Sequence, residues 1–394
     1  MSLLSGVRVV EYAQYVAGPL AGTLLAELGA DVVKVEPPGG DAYRYVMPVA
    51  PSVGRYFVPL NRGKRSIVLD LKTDEGREQS TALLGTADIV LHNFPPARAD
   101  AFGLGWPRLH AAAPRLVAGV VTSFGPEGTL AGAPAYDLVA QARSGLLTAH
   151  ASRGDTVPVR AGGIPMADLT AGFLLSTAVL AALVRTRQTG VGERVEVSLL
   201  AAALAVQIQD LVVLPGEETP AAGPATRASL GERASEIATG LATNPYYRCY
   251  EAADGYLSIA CLNLAQRKAF LALFELDDPT IEAPDVLPED AAVLAAKREV
   301  VADIEERIAA APTAEWLTRF EAAGVPCGPV LARESVPADA QIRANRFLDE
   351  VEQPGLGPVT MLGRIFGAGE TQGVGPAPAL GAHTDEVLRE IGVA

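Results

Sequence analysis

An α/β fold is predicted for this chain, because short apolar runs alternate with helical patterns along its first half. Strand-like runs occupy residues 7–12, 31–36, 66–71, 87–91 and 116–122, and helical patterns occupy residues 19–28 and 75–84. Strands separated by helices favour a parallel sheet with helices on its faces. The length of 394 residues exceeds what one compact core normally holds, so two domains are expected.

The elements follow one another with recognisable limits. The first helical pattern is stopped by Gly29, and the second strand follows it at once. A long apolar run begins after Asp168 and ends near Gly190, which predicts another helix. Residues 194–199 then form one more strand-like run. The arrangement is Rossmann-like in its order of elements.

Composition changes after residue 212. Residues 215–225 are rich in Pro, Gly and Ala, and we assign residues 213–245 to a linker. In the segment that follows, Asp254 and Gly255 precede the strand-like residues 256–261 and predict a hairpin. Residues 291–311 and 313–323 predict charged amphipathic helices.

Charge and composition exclude several classes of protein. The net charge of −14 argues against nonspecific nucleic-acid binding. The 3 cysteines fit no metal-ligand spacing, and no metal site is expected. The N-terminus lacks the features of a signal peptide, and the apolar run 173–184 is too short to span a membrane. A cytoplasmic protein without a membrane partner is expected.

The familiar motifs of nucleotide and hydrolase folds are missing. No G-x-G-x-x-G follows the first strand, and the Gly63-Lys64 pair lacks the glycine spacing of a phosphate-binding loop. Lys64 and Arg65 either bind phosphate or face solvent. No G-x-S-x-G elbow is present, which disfavours a serine hydrolase of that type.

Asp168 is the most informative acid of the chain. It follows a turn rich in glycine and proline and precedes the apolar run 173–184. One interpretation is an N-cap, in which the carboxylate accepts backbone N–H bonds at the start of a helix. The other is a nucleophile, held at the positive end of a helix among small neighbours. The local sequence leaves both open.

Several separate segments, in the expected order along nearly the whole chain, carry a family resemblance. They are residues 4–11 with 17–19 and 28–37, residues 61–72, residues 88–94 with 104–105, residues 136–137 with Gln141, 144–145 and the Asp168 turn, residues 254–256, and residues 383–388. In these segments the chain resembles the class III CoA-transferase family, which also includes carnitine CoA-transferases and α-methylacyl-CoA racemases.

The resemblance implies an enzyme that moves CoA from an acyl-CoA donor to a carboxylic acid acceptor. Asp168 would attack the thioester, giving an acyl–aspartyl anhydride and then an aspartyl-CoA thioester. Asp137 matches an acid beside the active site. Racemases of the superfamily carry a His at the position of Tyr136, and a phenol ordinarily titrates at about pH 10, so transfer is favoured over racemisation. Racemisation of a 2-methylacyl-CoA and a non-catalytic CoA-binding relative remain the alternatives.

The same resemblance implies a set of residues that bind CoA. These are Val16, Ala17, Lys72, Asn93, Phe94, Arg98 and Tyr136. The sequence departs from the family where Pro37 and Ala101 replace arginines that contact the adenine and the phosphates. Arg98 lies one helical turn before Ala101 and could reach the same phosphates. The His92 imidazole is expected at a strand end near CoA, in a packing role.

The architecture implied by the resemblance has two parts and a returning tail. A large Rossmann-like domain would comprise residues 1–212 and a smaller α/β domain residues 246–335. Residues 336–394 would return to the large domain. Family members form interlocked homodimers, and a homodimer is therefore expected here.

Overall fold

The computed structural model describes residues 2–149, 157–217, 223–286, 288–363, 365–366 and 375–393, without the side chains of 236–238, 241 and 242. The chain divides into two compact units. The first comprises Met1–Leu147, Arg160–Ala221 and Ala340–Ala394. The second comprises Thr148–Val159 and Ala222–Asp339. The segment 213–245, expected from its composition to be a linker, includes a helix at Arg227–Thr243.

The elements up to residue 205 alternate between strands and helices as the sequence predicts. In chain order they are β1 (Arg8–Glu11), α1 (Ala17–Glu27), β2 (Asp31–Glu36), β3 (Pro48–Ala50), β4 (Val53–Gly54), α2 (Phe57–Asn61), β5 (Arg65–Val68), α3 (Asp74–Leu84), β6 (Ile89–His92), α4 (Pro96–Ala101), α5 (Trp106–Ala112), β7 (Val117–Thr122), α6 (Asp137–Arg143), α7 (Leu146–Ala149), α8 (Met166–Thr189), β8 (Arg194–Ser198) and α9 (Leu199–Ala205). Short 3₁₀ helices lie at Ala42–Tyr45 and Ala161–Gly163.

The first unit is built on a parallel sheet of six strands in the order β5-β2-β1-β6-β7-β8. This is the doubly wound order, in which the chain first builds outward on one side of β1 and then on the other. The predicted parallel α/β sheet is confirmed. Its switch point lies between β1 and β6, where ligands bind at the carboxyl ends of the strands in such folds.

Both faces of the sheet are covered, because successive strand residues point to opposite sides. In β1, Val9 packs in a cluster with α1, α8 and α9, and Val10 packs in a second cluster with α3, α5 and the C-terminal helix. Both valines are 0% exposed. The sheet is therefore a rigid base from which the loops after its strands project.

Helix α8 approaches its neighbours closely through glycines. A Cβ on Gly172 would lie 2.8 Å from the carbonyl oxygen of Ala17, and one on Gly119 in β7 would lie 2.6 Å from Val179. The close approach at Gly172 places the second turn of α8 beside the start of α1, and the one at Gly119 lets the middle of α8 pack on β7. The apolar run 173–184 lies within α8, which is longer than that run and, contrary to the sequence prediction, could cross a membrane by its length and composition alone. Of its apolar window, 44% is buried.

The second unit has an antiparallel sheet and helices. Its elements are α10 (Arg227–Thr243), β9 (Tyr247–Ala252), β10 (Gly255–Ala260), α11 (Leu264–Ala272), α12 (Ala291–Ala309), α13 (Thr313–Ala322) and β11 (Cys327–Pro329), followed by a 3₁₀ helix at Arg333–Ala338. The strand order is β11-β10-β9, with the predicted hairpin at residues 253–254. Phe270, Phe274, Trp316 and Phe320 form an aromatic core between sheet and helices.

Residues after 340 belong to the first unit. They include α14 (Ala340–Ala344), β12 (Leu348–Gln353), β13 (Gly357–Leu362) and α15 (Thr384–Glu390). The His383 amide donates to the Ser66 carbonyl at 2.9 Å, and the Val68 amide donates to the Thr384 hydroxyl at 3.1 Å. The tail thus covers the outer edge of β5, which would otherwise present unpaired backbone groups.

Candidate active site

A cavity of about 350 Å³ opens at the switch point of the parallel sheet. Its walls come from the loops after β1, β6 and β7 and from the first turns of α4 and α8. They comprise residues 14–17, 93–96, Arg98, 121–123, 132–136, Asp168 and Leu199. The cavity lies where a doubly wound fold is expected to bind a ligand.

The structure brings most of the predicted site residues to this cavity. Those that line it are Asp168, Val16, Ala17, Asn93, Phe94, Arg98 and Tyr136. Lys72 is not among the described residues that line it. Lys72 is exposed in the turn after β5, where its amide donates to Asp70 at 3.0 Å.

The side chain of Asn93 joins the two loops at the switch point. Its Oδ1 accepts from the Gln14 amide at 3.1 Å, and its Nδ2 donates to the Gln14 carbonyl at 2.8 Å. These two bonds fix the loop after β1 to the loop after β6. Asn93 therefore shapes the cavity through Gln14.

Arg98 lies on the aromatic wall of the cavity. Its guanidinium carbon is 5.2 Å from the centre of the Phe94 ring and 5.3 Å from that of Phe102. Both distances fit cation–π contacts. The rings hold the cation at the cavity rim, where it can meet an anionic group.

Asp168 lies in the first turn of α8, but it is not the N-cap. Pro165 occupies the N-cap position, and it makes no side-chain capping hydrogen bond to the helix. The N-cap interpretation of Asp168 is therefore wrong. The carboxylate is instead a wall group of the cavity, at the positive end of a 24-residue helix.

Asp137 supplies the missing cap from a different element. Its Oδ1 accepts the amides of Ala167 at 3.0 Å and Asp168 at 3.3 Å. Its Oδ2 accepts from Gln141 Nε2 at 2.7 Å. Asp137 is 5% exposed and begins α6. The acid predicted beside the active site thus orients the helix that carries the candidate nucleophile.

The electrostatic surroundings of Asp168 disfavour its charge. Burial, together with the nearby negative charge of Asp137, raises the pKa of Asp168 from its ordinary 3.8 to about 7, and Arg160 opposes this shift. The Arg160 guanidinium lies 3.5 Å from Asp137 Oδ2. A carboxyl that titrates near neutrality in a cavity is typical of a functional group.

Aromatic side chains gather around the loop after β1. The Tyr15 ring makes edge contacts with Tyr43 at 5.8 Å and Tyr136 at 5.6 Å between ring centres. Tyr43 in turn lies 6.2 Å from Tyr56. Tyr15 has a φ of 70°, a left-handed conformation that costs free energy in a residue with a side chain. Tyr136 is 66% exposed.

Asp41 helps hold Tyr15 in this conformation. Its Oδ1 accepts from the amides of Tyr43 at 2.9 Å and Tyr15 at 3.3 Å. The Lys34 ammonium lies 2.9 Å from Asp41 Oδ2 and 2.9 Å from Glu11, and all three side chains are fully buried. Although burial works against its charge, Asp41 and Glu11 raise the pKa of Lys34. The buried ion pairs of Lys34 therefore connect Asp41, and through it the loop that carries Tyr15, to strands β1 and β2.

Neither Lys64 nor Arg65 faces a phosphate site or open solvent. Lys64 is buried and donates to Glu11 at 2.8 Å and to Asn61 at 3.0 Å. Burial lowers the pKa of Lys64 to about 8. Arg65 pairs with Asp31 at 2.7 Å and with Glu390 at 2.7 Å. Both cations are structural.

His92 ends β6 behind the main cavity. It lines a smaller cavity of about 90 Å³ with Trp106 and Arg194, and its Nδ1 has no hydrogen-bond partner among the described residues. Burial and the Arg194 charge lower the pKa of His92 to about 4, so it is neutral near pH 7.

The described residues contain no group of three or more acids, histidines or cysteines placed to hold a metal ion.

The fold is that of the doubly wound α/β proteins, a class in which ligands bind at the switch point of the parallel sheet, and the cavity lies at that point. The chain matches the CoA-transferase family III model over residues 4–384 and belongs to that family. It is an enzyme of the CoA-transferase class. Enzymes of this family use CoA thioesters as substrates, and an acyl-CoA and a carboxylate are consistent with membership in it.

Individual relatives support the same class over nearly the whole chain. The chain is 32% identical to succinate–glutarate CoA-transferase of Agrobacterium fabrum, covering 98% of this chain and 95% of the relative. It is also 32% identical to formyl-CoA:oxalate CoA-transferase of Streptomyces avermitilis, covering 99% and 96%. The crystal structure of a CAIB/BAIF family protein from Brucella suis matches with a TM-score of 0.77 at 28% identity over 99% of both chains.

Proposed function

We propose that the enzyme transfers CoA from an acyl-CoA to a carboxylic acid through covalent intermediates on Asp168. The observation that carries this proposal is the position of Asp168. It is a carboxyl group in the cavity wall, at a helix N-terminus, with a pKa of about 7. Near neutral pH, a substantial fraction of such a group is ionised and can act as a nucleophile. Its raised pKa also makes the carboxylate more basic than an ordinary aspartate.

The donor half of the reaction forms and breaks bonds at two carbonyl groups. The Asp168 carboxylate attacks the thioester carbonyl carbon, the C–S bond breaks, and CoA leaves as a thiolate. The thiolate then attacks the Asp168 carbonyl of the mixed anhydride, and the donor acid leaves as a carboxylate. Asp168 now carries CoA as a thioester.

The acceptor half reverses these steps with a new acid. The acceptor carboxylate attacks the Asp168 carbonyl and displaces the CoA thiolate, which gives a second mixed anhydride. The thiolate attacks the acceptor carbonyl, and Asp168 leaves as a free carboxylate. Backbone N–H groups at the start of α8 would favour each developing oxyanion.

The surrounding residues have separate proposed roles. Asp137 orients the first turn of α8 and raises the pKa of Asp168. Val16, Ala17 and Phe94 form the apolar wall against the thioester arm, and Arg98 faces the phosphates. Lys72 keeps a proposed role only at the solvent end of the ligand, since it lies outside the cavity wall.

Trapping of the covalent intermediate tests this proposal. Wild-type protein incubated with an acyl-CoA, without acceptor, should gain the mass of CoA less one water on the peptide that contains Asp168, because the thioester replaces a carboxyl oxygen with the CoA sulfur. Asp168→Ala and Asp168→Asn should gain none. Transfer without any adduct in the wild type would contradict the mechanism.

Racemisation is separated by an isotope measurement. A racemase would introduce solvent deuterium at the α-carbon of a 2-methylacyl-CoA without an adduct. We expect no such exchange. Tyr136 supports this expectation, because it occupies the position where the racemases of the superfamily use a histidine.

We also propose that the active enzyme is a homodimer. Residues 204–214 of the first unit expose a run of large apolar side chains, including Ile208 at 75% and Val213 at 62%. Exposed apolar runs of this size are typical of interaction surfaces. Sedimentation should give twice the chain mass of 40.9 kDa. A monomer in solution would contradict this proposal.

A further inference from the structure

Two tyrosines of the cavity wall contact each other at the mouth of the main cavity. Tyr15 follows β1 and Tyr136 precedes α6, and both line the cavity together with Asp168. Tyr136 is also 66% exposed, so its ring lies between the cavity and solvent. The two rings meet edge to face, with 5.6 Å between their centres and 71° between their planes. This is the geometry of a favourable aromatic pair.

Tyr136 is held close to the candidate nucleophile by its neighbours in the chain. The next residue, Asp137, accepts the Asp168 amide at 3.3 Å. The preceding residue, Ala135, donates its amide to the hydroxyl of Ser123, directly after β7, at 2.9 Å. These hydrogen bonds on both sides fix the backbone at Tyr136. Its exposed side chain can still change rotamer, a motion that takes no more than nanoseconds in exposed residues.

Tyr15 is fixed more firmly, and in an unfavourable conformation. Its φ of 70° is uncommon in a residue with a side chain and costs free energy. Its amide donates to Asp41 Oδ1 at 3.3 Å, and the Asn93 side chain holds both backbone polar groups of Gln14. Tyr15 is nevertheless only half-buried, and it belongs to none of the hydrophobic clusters of the described residues. Core packing therefore does not explain this strained tyrosine.

A third tyrosine keeps the Tyr15 ring in place. Tyr43 contacts it edge to face, with 5.8 Å between ring centres, and Asp41 Oδ1 also accepts the Tyr43 amide at 2.9 Å. Hydrogen bonding with Tyr136, followed by burial, raises the pKa of Tyr15, so its hydroxyl is neutral near pH 7. Tyr15 thus presents a fixed, uncharged surface to the Tyr136 ring.

The proposed reaction needs a cover at this place, because its intermediates react with water. When water attacks the acyl carbonyl of the anhydride, the bond between that carbon and the Asp168 oxygen breaks. The donor acid and Asp168 are released as carboxylates with two protons, one of which the CoA thiolate takes up. The result is hydrolysis of the acyl-CoA without transfer. Closure of an active site prevents such side reactions by excluding water.

We propose that the Tyr15–Tyr136 pair closes the mouth of the cavity over the intermediates on Asp168 and shields them from water. The proposal rests on the proposed function, which supplies these intermediates. Tyr15 is the fixed member of the pair. The Tyr136 side chain turns outward to admit the substrates and returns to Tyr15 between these events. Both are positioning residues, and neither phenol forms or breaks a bond.

The ratio of hydrolysis to transfer tests the proposal. Acetyl-CoA, butyryl-CoA and succinyl-CoA are each incubated with the isotopically labelled form of their own acid, and the fastest combination is used. Transfer is measured as label that enters the CoA ester, and hydrolysis as net release of CoA thiol. Tyr136→Ala and Tyr15→Leu should each raise the ratio roughly three- to tenfold, the range expected when an aromatic pair is lost.

Conservative and control variants separate the ring contact from a general loss of structure. Tyr136→Phe keeps the ring and should raise the ratio less than Tyr136→Ala does. A double variant with Tyr136→Ala and Tyr15→Leu should have the ratio of the single variants, since either change alone already opens the pair. Tyr256→Ala removes a tyrosine that is 53% exposed in the second unit, and it should leave the ratio unchanged.

An unchanged ratio in either Tyr136→Ala or Tyr15→Leu would overturn the proposal. A double variant whose increase is the product of the two single increases would also overturn it, because the two residues would then act independently. Adding Asp168→Asn to Tyr136→Ala should abolish the extra hydrolysis. Hydrolysis that persists in that variant would show that water attacks the bound acyl-CoA directly, which the proposal does not allow.

The adduct separates the failure of this proposal from the failure of the covalent mechanism. A wild type that transfers CoA without an adduct on Asp168 refutes the mechanism, and with it the need for a cover. Adducts in the wild type and in both single variants, with the same ratio of hydrolysis to transfer in all three, refute only the role of the Tyr15–Tyr136 pair.

Discussion

Replacing Asp168 with asparagine is expected to stabilise the folded protein above neutral pH. Burial and the Asp137 charge raise the pKa of Asp168 from 3.8 to about 7. Between these values the carboxyl keeps its proton in the folded state and loses it in the unfolded state. The stability that protonation provides is complete below the unfolded pKa and is lost as the pH rises to the folded pKa. The side-chain amide of asparagine does not titrate, so the stability of the variant does not fall over this pH range for that reason.

The size of the effect follows from the shift. Each pKa unit corresponds to about 1.4 kcal/mol, so a shift of about three units destabilises the wild type by about 4 kcal/mol at pH 8. The acid gains roughly 0.3–1 kcal/mol from its place at a helix N-terminus, which acts in the opposite direction. The net gain of Asp168→Asn is therefore on the order of 3 kcal/mol at pH 8 and vanishes at about pH 4.

Thermal unfolding at several pH values measures this difference. The Tm of Asp168→Asn should exceed that of the wild type by several degrees at pH 8, and the gap should narrow as the pH falls and close at about pH 4. Asp385→Asn removes an exposed acid from the first turn of α15 and controls for the helix-end contribution. A variant that is less stable than the wild type by the same amount throughout pH 5 to pH 8 would refute the reasoning, because an acid that only stabilises its helix through its charge is ionised over that whole range.

Three other changes have defined outcomes. The rate of adduct formation should rise with pH around a midpoint of about 7. Asp137→Asn should lower that midpoint, because it removes a like charge from beside Asp168. A wild-type midpoint near the ordinary pKa of an aspartate would contradict this prediction. Asn93→Ala breaks both hydrogen bonds to Gln14 and should raise the KM for acyl-CoA by roughly tenfold. An unchanged KM would show that the loops after β1 and β6 keep their positions without the Asn93 side chain. Gly172→Ala places a methyl group 2.8 Å from a backbone oxygen of α1. This contact should lower the free energy of unfolding, measured by urea titration, by about 1–3 kcal/mol. An unaltered midpoint of the urea titration would mean that α8 can move away from α1 at no cost.

Local sequence was sufficient for the strands and helices around the site. The apolar runs at 7–12, 31–36 and 87–91 correspond to β1, β2 and β6, because a strand buried on both faces needs continuous apolar residues. The start of a helix near Asp168 was predicted from a turn followed by an apolar run. Family resemblance then identified several residues of the cavity wall, since it fixes residues that share a ligand.

Long-range contacts were beyond such reasoning. From the sequence, Asp168 itself was a candidate for the N-cap, but the capping carboxylate belongs to Asp137, which lies 31 residues earlier. Lys64 was a candidate for phosphate, and its burial against Glu11 depends on a strand more than 50 residues away. Arg160 was missed altogether, because an isolated arginine carries no local signal of what it faces.

By itself, the sequence determined the alternation of elements, and with it the parallel sheet and the helix whose first turn contains Asp168. These depend on the period of apolar residues and on turn residues, which are properties of neighbours in the chain. Only the tertiary structure decided the chemical state of that acid. Its pKa depends on burial and on the charges of Asp137 and Arg160, and distances between separate elements exist only after the chain has folded.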